Sequence, residues 1–438
     1  MTRRYFGTDG VRGVAGEFVT AELATALAAA ATRHAGGERP QVLVIRDTRE
    51  SGPMLESAIA AGVASAGGDA LLGGVLPTPA APLLIRRYGF DLGVVLSASH
   101  NPYSDNGIKF FAGDGDKLSD AIEREIEAEL EAEAPHTPEV GTIRALRGAL
   151  DDYLRELETR FAALDLTGLD VVLDCANGAA HRAAPEIFRR LGADVTALAV
   201  APDGRNINDR CGSTHIEGLA AAVTAGGHAV GFAFDGDADR MLAVDRTGAV
   251  VDGDELIAVA AKFLRRTGRL PGNGVAVTVM ANYGFHGAMA EAGIEVATTQ
   301  VGDRYVLEAL RERGWALGGE QSGHIIELGF APSGDGIASA LLTLEALEGS
   351  DLAERDGMDK LPQRLVNVPV ADRDALSSSA AVEEAIARES AALEGRGRVL
   401  VRPSGTEPLV RVMVEAPTEV EAREACERIV AAMEAVAA

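Results

Sequence analysis

The sequence predicts an α/β protein with three related α/β domains, built on mixed sheets, and a smaller C-terminal α+β domain. A strand, helix, strand pattern that occurs three times predicts the α/β domains, and a different order of elements near the C-terminus predicts the fourth domain. A chain of 438 residues is long enough for several domains. Aromatic residues make up only 4% of it, so its cores must be built from aliphatic side chains, which argues against an all-β protein.

The repeated pattern spans residues 41–79, 169–204 and 274–303. Each stretch has a β-branched strand, a short polar turn, an Ala-rich helix, a Gly-containing break and a second apolar strand. Such units form right-handed crossovers between parallel strands. Three related domains are expected from them. Because α/β proteins commonly contain these units, the alternative that the pattern is only general to this class stays open.

The order of elements changes after residue 360, where a strand, a helix at about residues 379–394, a pair of strands and a final helix at residues 419–436 are expected. Two further helices are predicted at residues 120–134 and 149–163. We place the domain boundaries so that the four domains comprise residues 1–155, 156–254, 255–364 and 365–438.

The charge balance excludes some classes of partner. The chain has 41 Lys and Arg against 66 Asp and Glu, a formal net charge of −25, which repels nucleic acid and anionic membranes. An anionic substrate would need a local cluster of cations. The cysteines Cys175, Cys211 and Cys426 lack the spacing of a zinc site or a disulfide framework. No apolar stretch of about 18 residues occurs, so a cytoplasmic protein is expected.

A polar segment, SASHNP, follows the apolar run LGVVL at residues 92–96. In an open α/β sheet, ligands bind beyond the carboxyl ends of the strands, where this segment would lie. Ser99 could act as a nucleophile or phosphoryl acceptor, and His100 or Lys109 could transfer protons. A turn without any catalytic role is the alternative.

The segment FAFDGDADR places Asp235, Asp237 and Asp239 at alternate positions, from which their oxygens could converge on one divalent cation. An EF-hand would need Gly and Glu where the chain has Arg240 and Arg246. Magnesium prefers carboxylates together with a phosphate oxygen, and Arg240 is suited to bind that phosphate. A covalent role for Asp235 as a nucleophile is the alternative.

Two further segments could bind a polar, anionic ligand. In GGEQSGHII, the side chains of Glu320, Ser322 and His324 alternate and could bind hydroxyl groups, or could simply form a turn. Arg12 and Arg304 stand in Gly-Asp turns that could contribute to the same ligand site. In VRPSGTEPLVR, a Ser-Gly-Thr loop between two arginines matches the geometry of a phosphate, and a plain hairpin without a ligand is the alternative. The predicted phosphate-binding residues of that segment are Arg402, Ser404, Gly405, Thr406 and Arg411.

Taken in order, SASHNP, DGDADR, GEQSGH and RPSGTEP resemble the four motifs of the α-D-phosphohexomutase family: a phosphoserine loop, a magnesium loop, a sugar loop and a phosphate loop. The resemblance covers nearly the whole chain. The segments GTDGVRG, PDGRNINDRCGSTH and VGDRYV, together with Gln321, are similar to the branch of the family that acts on glucosamine phosphates. Ala238 is a departure, since many relatives have Gly there.

The resemblance implies four domains around a central cleft. The implied reaction interconverts glucosamine 6-phosphate and glucosamine 1-phosphate through a phosphoserine enzyme and a sugar bisphosphate intermediate. The alternatives are phosphomannomutase or phosphoglucomutase activity, or a non-catalytic sugar-phosphate-binding protein. The implied partner is a small sugar phosphate, without nucleic acid or membrane, and the protein would be a monomer or a homodimer.

The resemblance also implies residue roles. Ser99 would carry the phosphoryl group, and its phosphate would join Asp235, Asp237 and Asp239 around one Mg²⁺ per active site. Catalytic roles fall to His100, Lys109, Arg240 and Arg12, with either His100 or Lys109 as the general acid or base. The implied substrate-binding residues are Arg304, Glu320, Ser322, His324, Arg402, Ser404, Gly405, Thr406 and Arg411.

Overall fold

The computed structural model describes residues 4–7, 9–130, 139–369, 379–403 and 409–437. These residues form two compact units. The larger comprises the chain up to Val279 together with Val296–Asp356, and the smaller comprises Met280–Glu295 together with the chain from Gly357 onward. The predicted fold class is confirmed, since mixed α/β sheets are followed by a small C-terminal α+β unit. The four domain boundaries and the central cleft stay predictions.

The first sheet of the larger unit is formed by residues up to Ala145. The elements in this part are β1 (Val11–Val14), α1 (Ala21–Ala35), β2 (Gln41–Arg46), α2 (Gly52–Ser65), β3 (Asp69–Val75), α3 (Ala80–Tyr88), β4 (Leu92–Leu96), β5 (Asp105–Ala112), α4 (Asp120–Leu130), β6 (Ile143–Ala145) and α5 (Ala149–Arg160). The strands lie in the order β1-β5-β4-β2-β3-β6. Every residue of β4 is buried, as expected for a strand covered by helices on both faces.

The second sheet follows α5. Its part of the chain contains β7 (Asp170–Asp174), α6 (Ala180–Arg190), β8 (Asp194–Leu198), α7 (Glu217–Gly226), β9 (Val230–Phe234), β10 (Met241–Asp245) and β11 (Val250–Val251). The strands lie in the order β11-β10-β9-β7-β8. As in the first sheet, a central strand, β9, is buried along its whole length.

The third sheet is smaller. The next elements are α8 (Gly253–Arg266), β12 (Gly274–Thr278), α9 (Tyr283–Glu291, in the smaller unit), β13 (Glu295–Thr299), α10 (Asp303–Arg313), β14 (Leu317–Gly319), β15 (Ile325–Glu327) and α11 (Gly336–Leu347), with short 3-10 turns at Pro271–Asn273 and Leu352–Glu354. The strands lie in the order β13-β12-β14-β15.

The same arrangement of four strands occurs in all three sheets: β3-β2-β4-β5 in the first, β8-β7-β9-β10 in the second and β13-β12-β14-β15 in the third. In each, the third strand along the chain runs parallel to the first, and the fourth returns antiparallel to the third. The prediction of three related α/β domains is confirmed at the level of topology.

The smaller unit contains β16 (Gln363–Pro369), α12 (Ala380–Ala392), β17 (Arg398–Pro403), β18 (Leu409–Glu415) and α13 (Glu419–Ala437). Its strands form an antiparallel sheet in the order β16-β18-β17. Alternate residues of β18, Val410, Val412 and Val414, enter a core with Val382 and Ile429 from the two helices. The predicted helices of this region are therefore confirmed. Within the described residues, no helix is long and apolar enough to cross a membrane.

Helix α11 begins at a buried acid. The carboxylate of Asp335 accepts hydrogen bonds from the backbone N–H of Ala338 at 2.9 Å and from the hydroxyl of Tyr153, on α5, at 2.9 Å. Burial raises the pKa of Asp335 from 3.8 to about 6, although both hydrogen bonds act in the opposite direction. The folded protein thus favours the protonated acid, and this contribution to stability is lost as the pH rises through about 6.

We expect Asp335→Asn to remove this pH dependence. The amide cannot ionise, its oxygen can still cap α11, and the Tyr153 hydroxyl can turn to accept from the amide nitrogen. The variant should gain stability over the wild type between pH 4 and 7, by no more than about 3 kcal/mol. Thermal unfolding midpoints of both proteins across this range provide the measurement. A difference that stays constant with pH would contradict the expectation.

Candidate active site

Three polar loops occupy equivalent positions in the three sheets of the larger unit. Each connects the third strand to the antiparallel fourth strand: residues 97–104 between β4 and β5, residues 235–240 between β9 and β10, and residues 320–324 between β14 and β15. These loops contain the SASHNP, DGDADR and GEQSGH motifs. The carboxyl end of a buried strand is where an open α/β sheet places ligand-binding groups, and the repeated topology supplies three such ends.

The first loop places Ser99 next to Asp235 of the second loop. Ser99 is buried, and its hydroxyl donates a hydrogen bond to Asp235 Oδ2 at 2.5 Å. Gly236 makes this approach possible, because a Cβ at that position would lie only 2.5 Å from the carbonyl oxygen of Ser99. Ser99 itself has φ 51°, a left-handed conformation that costs a non-glycine residue roughly 1–2 kcal/mol. The serine is thus held in one strained position against the acidic loop.

The three alternating aspartates of the second loop converge as predicted. One oxygen from each of Asp235, Asp237 and Asp239 lies within 4.8 Å of the others, and all three side chains are buried. In the described part of the chain, no other group of three His, Cys, Asp or Glu residues has this arrangement. The Oδ1 atoms of Asp237 and Asp239 are buried and accept no hydrogen bond from any residue that the structure describes. Ala238, between them, adopts φ 58°, the conformation that Gly would take without strain.

The charges of the cluster favour a bound cation. Burial, together with the negative charges of Asp239 and Asp237, raises the pKa of Asp235 well above its ordinary range. Burial also opposes ionisation of Asp239, but the neighbouring His324, Lys109 and Arg240 lower its pKa overall. Buried carboxylate oxygens without donors are the ligands that a hard divalent cation prefers. The residues present therefore fit a metal ion of the magnesium type.

Lys109 lies behind the acidic loop. Its ammonium is 3.0 Å from Asp237 Oδ2, 3.0 Å from Asp9 Oδ2 and 3.8 Å from Asp239 Oδ2, and the side chain is only 2% exposed. Burial disfavours the ammonium, but the surrounding carboxylates outweigh it and raise the pKa of Lys109. The lysine is therefore a fixed cation that neutralises the aspartates.

These contacts close into a ring of ionisable side chains, which we call the charge circuit. Lys117 joins Asp9 at 2.5 Å to Asp303 at 2.7 Å, and His324 lies 3.7 Å from both Asp303 and Asp239. The members of the circuit, in order, are Asp239, Lys109, Asp9, Lys117, Asp303 and His324. The circuit connects loops of the first, second and third sheets around the metal cluster.

His100 and Arg240 lie on the other side of Ser99. His100 Nδ1 is 3.3 Å from the Ser99 hydroxyl oxygen and 3.2 Å from Arg240 Nη1. A guanidinium can only donate, so this contact requires His100 Nδ1 to be unprotonated. Burial, followed by the positive charges of Arg240 and Arg12, lowers the pKa of His100. Arg12 donates to Asp9 at 2.8 Å, which connects it to the charge circuit.

The predicted sugar-binding residues have different surroundings. Glu320 Oε1 accepts a hydrogen bond from the backbone N–H of Gly302 at 3.1 Å, and the buried Ser322 hydroxyl has no hydrogen-bond partner among the described residues. His324 is only 3% exposed and contacts the metal loop, so the structure places it beside Asp239. Arg304 pairs with Asp120 and Glu123 of α4. The contacts of these residues with a sugar stay predictions.

In the smaller unit, Arg402 of β17 and Arg411 of β18 are directly opposite each other. Two guanidinium groups at facing positions of adjacent strands can bind one anion together. This pairing agrees with the expected phosphate site. The remaining predicted residues of that site, Ser404, Gly405 and Thr406, lie outside the described residues.

Some contributors to the site escaped the sequence analysis. Thr78 donates from its hydroxyl to Asp237 Oδ2 at 2.7 Å and from its backbone N–H to the Asp237 carbonyl at 2.9 Å. Asp47 follows β2 and accepts a hydrogen bond from Ser97. Asp47 directly follows β2, and Thr78 lies three residues after the end of β3, so their positions at the carboxyl ends of parallel strands could have identified them. Lys117 had none, because its role depends on long-range contacts with Asp9 and Asp303.

Comparison with known proteins agrees with this geometry. Four models of one family, phosphoglucomutase/phosphomannomutase, match the chain in succession: α/β/α domain I at residues 3–137, domain II at 151–248, domain III at 252–365 and the C-terminal domain at 365–432. A phosphoglucosamine mutase of Moorella thermoacetica is 51% identical, and the match covers 99% of both chains. One of a Nocardioides species is 52% identical over 96% of both chains.

Solved structures have the same fold. A phosphoglucomutase/phosphomannomutase family protein of Burkholderia thailandensis has a TM-score of 0.82 at 25% identity, covering 99% of this chain and 98% of its own. An N-acetylphosphoglucosamine mutase of Aspergillus fumigatus, crystallised with GlcNAc-6P and magnesium, has a TM-score of 0.67 at 20% identity, covering 100% of this chain and 96% of its own.

Proposed function

Because this chain belongs to the phosphoglucomutase/phosphomannomutase family of α-D-phosphohexomutases, and within it to the phosphoglucosamine mutases, we propose that Ser99 is its phosphoryl carrier. Members of this group are enzymes of the isomerase class that interconvert glucosamine 6-phosphate and glucosamine 1-phosphate. The observation that supports the proposal most directly is the 2.5 Å contact between the Ser99 hydroxyl and Asp235, within a buried triad of aspartates.

The proposed reaction has two transfers. Phosphorylated Ser99 gives its phosphoryl group to the free hydroxyl oxygen of the sugar phosphate, so that a P–O bond to Ser99 breaks and a P–O bond to the sugar forms. The resulting bisphosphate then returns its other phosphoryl group to Ser99. Each transfer releases one proton from the acceptor hydroxyl and returns one to the oxygen that leaves. Positioning and charge neutralisation provide most of the acceleration in phosphoryl transfer.

Asp235, Asp237 and Asp239 would hold one Mg²⁺, with a phosphate oxygen on Ser99 as a further ligand. The two donor-free oxygens of Asp237 and Asp239 support this ligand set, and the fungal relative was crystallised with magnesium. When bound, the ion would neutralise negative charge on the phosphoryl group. Arg240, which contacts Asp235 and His100, would bind the same group from the protein side.

We assign proton transfer to His100 rather than to Lys109. The ammonium of Lys109 is committed to Asp237, Asp9 and Asp239 and is only 2% exposed, so it cannot reach a sugar hydroxyl without leaving them. His100 is partly exposed and contacts the Ser99 hydroxyl oxygen. A neutral imidazole next to the transferring group can accept the proton of the sugar hydroxyl.

Substrate binding would use the remaining predicted residues. Glu320 and Ser322 would bind sugar hydroxyls. The Ser322 hydroxyl supports this, because it has no hydrogen-bond partner among the described residues. Arg402 and Arg411 would bind the phosphate that is not being transferred, since the sheet register sets the two side by side. Arg12 and Arg304 would add positive charge at the substrate. A monomer or homodimer in the cytoplasm stays our prediction.

Turnover of three substrates tests the function. Purified protein is assayed with glucosamine 6-phosphate, glucose 6-phosphate and mannose 6-phosphate, each with magnesium and the matching bisphosphate. We expect the highest kcat/KM with glucosamine 6-phosphate, together with a phosphorylated Ser99 in the intact mass and peptide map. A preference for glucose or mannose phosphate would contradict the glucosamine assignment. Tight sugar-phosphate binding without turnover would instead favour a non-catalytic binding protein.

A further inference from the structure

We propose that Asp47 and Arg49 form a positioning pair that fixes the backbone of Ser99 on both sides and so sets the direction of its hydroxyl. This inference rests on the proposed role of Ser99 as phosphoryl carrier. Among the described residues, neither side chain forms a hydrogen bond or ion pair with Asp235, Asp237 or Asp239. They act through hydrogen bonds to the loop after β4.

Arg49 uses its side-chain donors on both Asp47 and the loop after β4. The residue is 0% exposed, and its Nε donates to Asp47 Oδ2 at 2.8 Å. Nη2 donates to the carbonyl oxygens of Ser99 and Asn101, both at 2.9 Å. Nη1 donates to the carbonyls of Pro102 and Asp105, the latter at 2.9 Å. One guanidinium therefore binds four carbonyl groups of a single turn. Its rigid fork of donors allows this, and the side chain of a lysine would not.

Asp47 fixes the other side of Ser99. Its Oδ2 accepts a hydrogen bond from the Ser97 hydroxyl at 2.7 Å, and the oxygen of that hydroxyl accepts the backbone N–H of Ser99 at 2.9 Å. Both the N–H and the C=O of Ser99 are thus held by the same ion pair, one through Ser97 and one directly. Asn208, from the loop after β8, adds a second donor to the Ser99 carbonyl at 2.9 Å.

The strained backbone of Ser99 explains why such a support is needed. At φ 51°, a residue without external constraints relaxes to a negative φ, and its side chain then points elsewhere. Such a change at Ser99 would lose the 2.5 Å contact with Asp235. A buried ion pair in itself adds little net stability, because desolvation offsets the attraction between the charges. The Asp47–Arg49 pair instead fixes the positions of the four carbonyl groups and of the Ser99 N–H.

The test compares Arg49→Lys and Asp47→Asn with the wild type, using kcat, KM, the stability of phosphorylated Ser99 and thermal unfolding. Lysine keeps the charge but cannot bind four carbonyls, and Asn keeps the size but removes the charge. We expect kcat to fall about 10- to 100-fold in both variants, with KM for glucosamine 6-phosphate unchanged, because a misplacement of about 1 Å costs that much in phosphoryl transfer. The phosphorylated enzyme should also lose more phosphate to water per turnover.

The matched control is Arg355→Lys. Arg355 also bridges two buried carboxylates, Glu255 and Asp245, but it has no contact with the serine loop. We expect it to lower the unfolding midpoint and leave kcat unchanged. If Arg49→Lys behaves like this control, with normal kcat and only reduced stability, the positioning role is wrong. If Arg49→Lys does not fold, Ser97→Ala, which removes the link to the Ser99 N–H without exposing a buried charge, decides by the same criterion.

The outcome for the wild type separates this inference from the function on which it rests. A wild-type enzyme that turns over without ever carrying phosphate on Ser99 would contradict the carrier role, and the positioning role with it. A wild-type enzyme with phosphorylated Ser99, beside positioning variants with normal kcat and normal phosphate retention, would contradict the positioning role alone.

Discussion

Ser99→Ala is expected to abolish turnover, with a loss of kcat of at least about 10³-fold, even when sugar bisphosphate is supplied. The bisphosphate cannot replace the serine, because it must itself return one phosphoryl group to the enzyme. We propose the Ser99 hydroxyl as the oxygen concerned because of its 2.5 Å hydrogen bond to Asp235. Coupled assays of glucosamine 1-phosphate formation, with the intact mass of enzyme incubated with bisphosphate, provide the measurement.

The control for this variant is Ser104→Ala. Ser104 is exposed and lies in the same connection between β4 and β5, and within the described residues its one hydrogen bond is accepted by its backbone carbonyl from the N–H of Ala15. It should keep normal activity and accept one phosphoryl group. Near-normal turnover of Ser99→Ala would mean that another residue carries the phosphoryl group, and the peptide that then carries the added mass would identify it.

Asp237→Asn is expected to raise the magnesium concentration needed for half-maximal activity by about 10- to 100-fold or more. Its Oδ1 is buried without a donor and is available to a metal, while Oδ2 is held by Thr78 and Lys109. The Asn side chain keeps the shape but removes the negative charge from the ligand set. Magnesium should also protect the variant less against thermal unfolding than it protects the wild type, a readout that does not depend on turnover.

Asp245→Asn serves as the control for the metal loop. Asp245 is also a buried carboxylate of the same sheet, but it pairs with Arg355 outside the cluster. We expect it to reduce stability while the magnesium requirement stays at the wild-type value. An unchanged magnesium titration for Asp237→Asn, with or without a loss of stability, would remove Asp237 from the metal site.

The sequence predicted the fold well because the fold depends on local patterns. The three strand, helix, strand stretches and the different C-terminal order are visible as hydrophobic periodicity and Gly breaks. What this pattern could not provide is the order of strands in each sheet. The return of β5, β10 and β15 antiparallel to the strands before them is set by pairing between segments rather than by the composition of either one.

The site was predictable where all the residues that act together lie in one short segment. Asp235, Asp237 and Asp239 converge because they share a single turn. By contrast, the commitment of Lys109 to three carboxylates depends on Asp9, a hundred residues earlier in the chain. Arg49 looked like an ordinary polar residue after a strand, and only the structure reveals that it is fully buried among carbonyl groups.

The charge circuit limits how far the repeated units can be treated as modules. Each sheet has its own strands and core, so a fragment ending near residue 150 would contain a complete sheet. That fragment would nevertheless keep Lys109 and Lys117, with Asp9 as their shared partner, while losing the other carboxylates that pair with them, Asp237, Asp239 and Asp303. A chimera that takes one of the three α/β domains from a relative therefore needs carboxylates in the other two domains that can pair with its lysines. Each sheet can be exchanged as a folded element, but the lysines and carboxylates of the charge circuit have to be exchanged together.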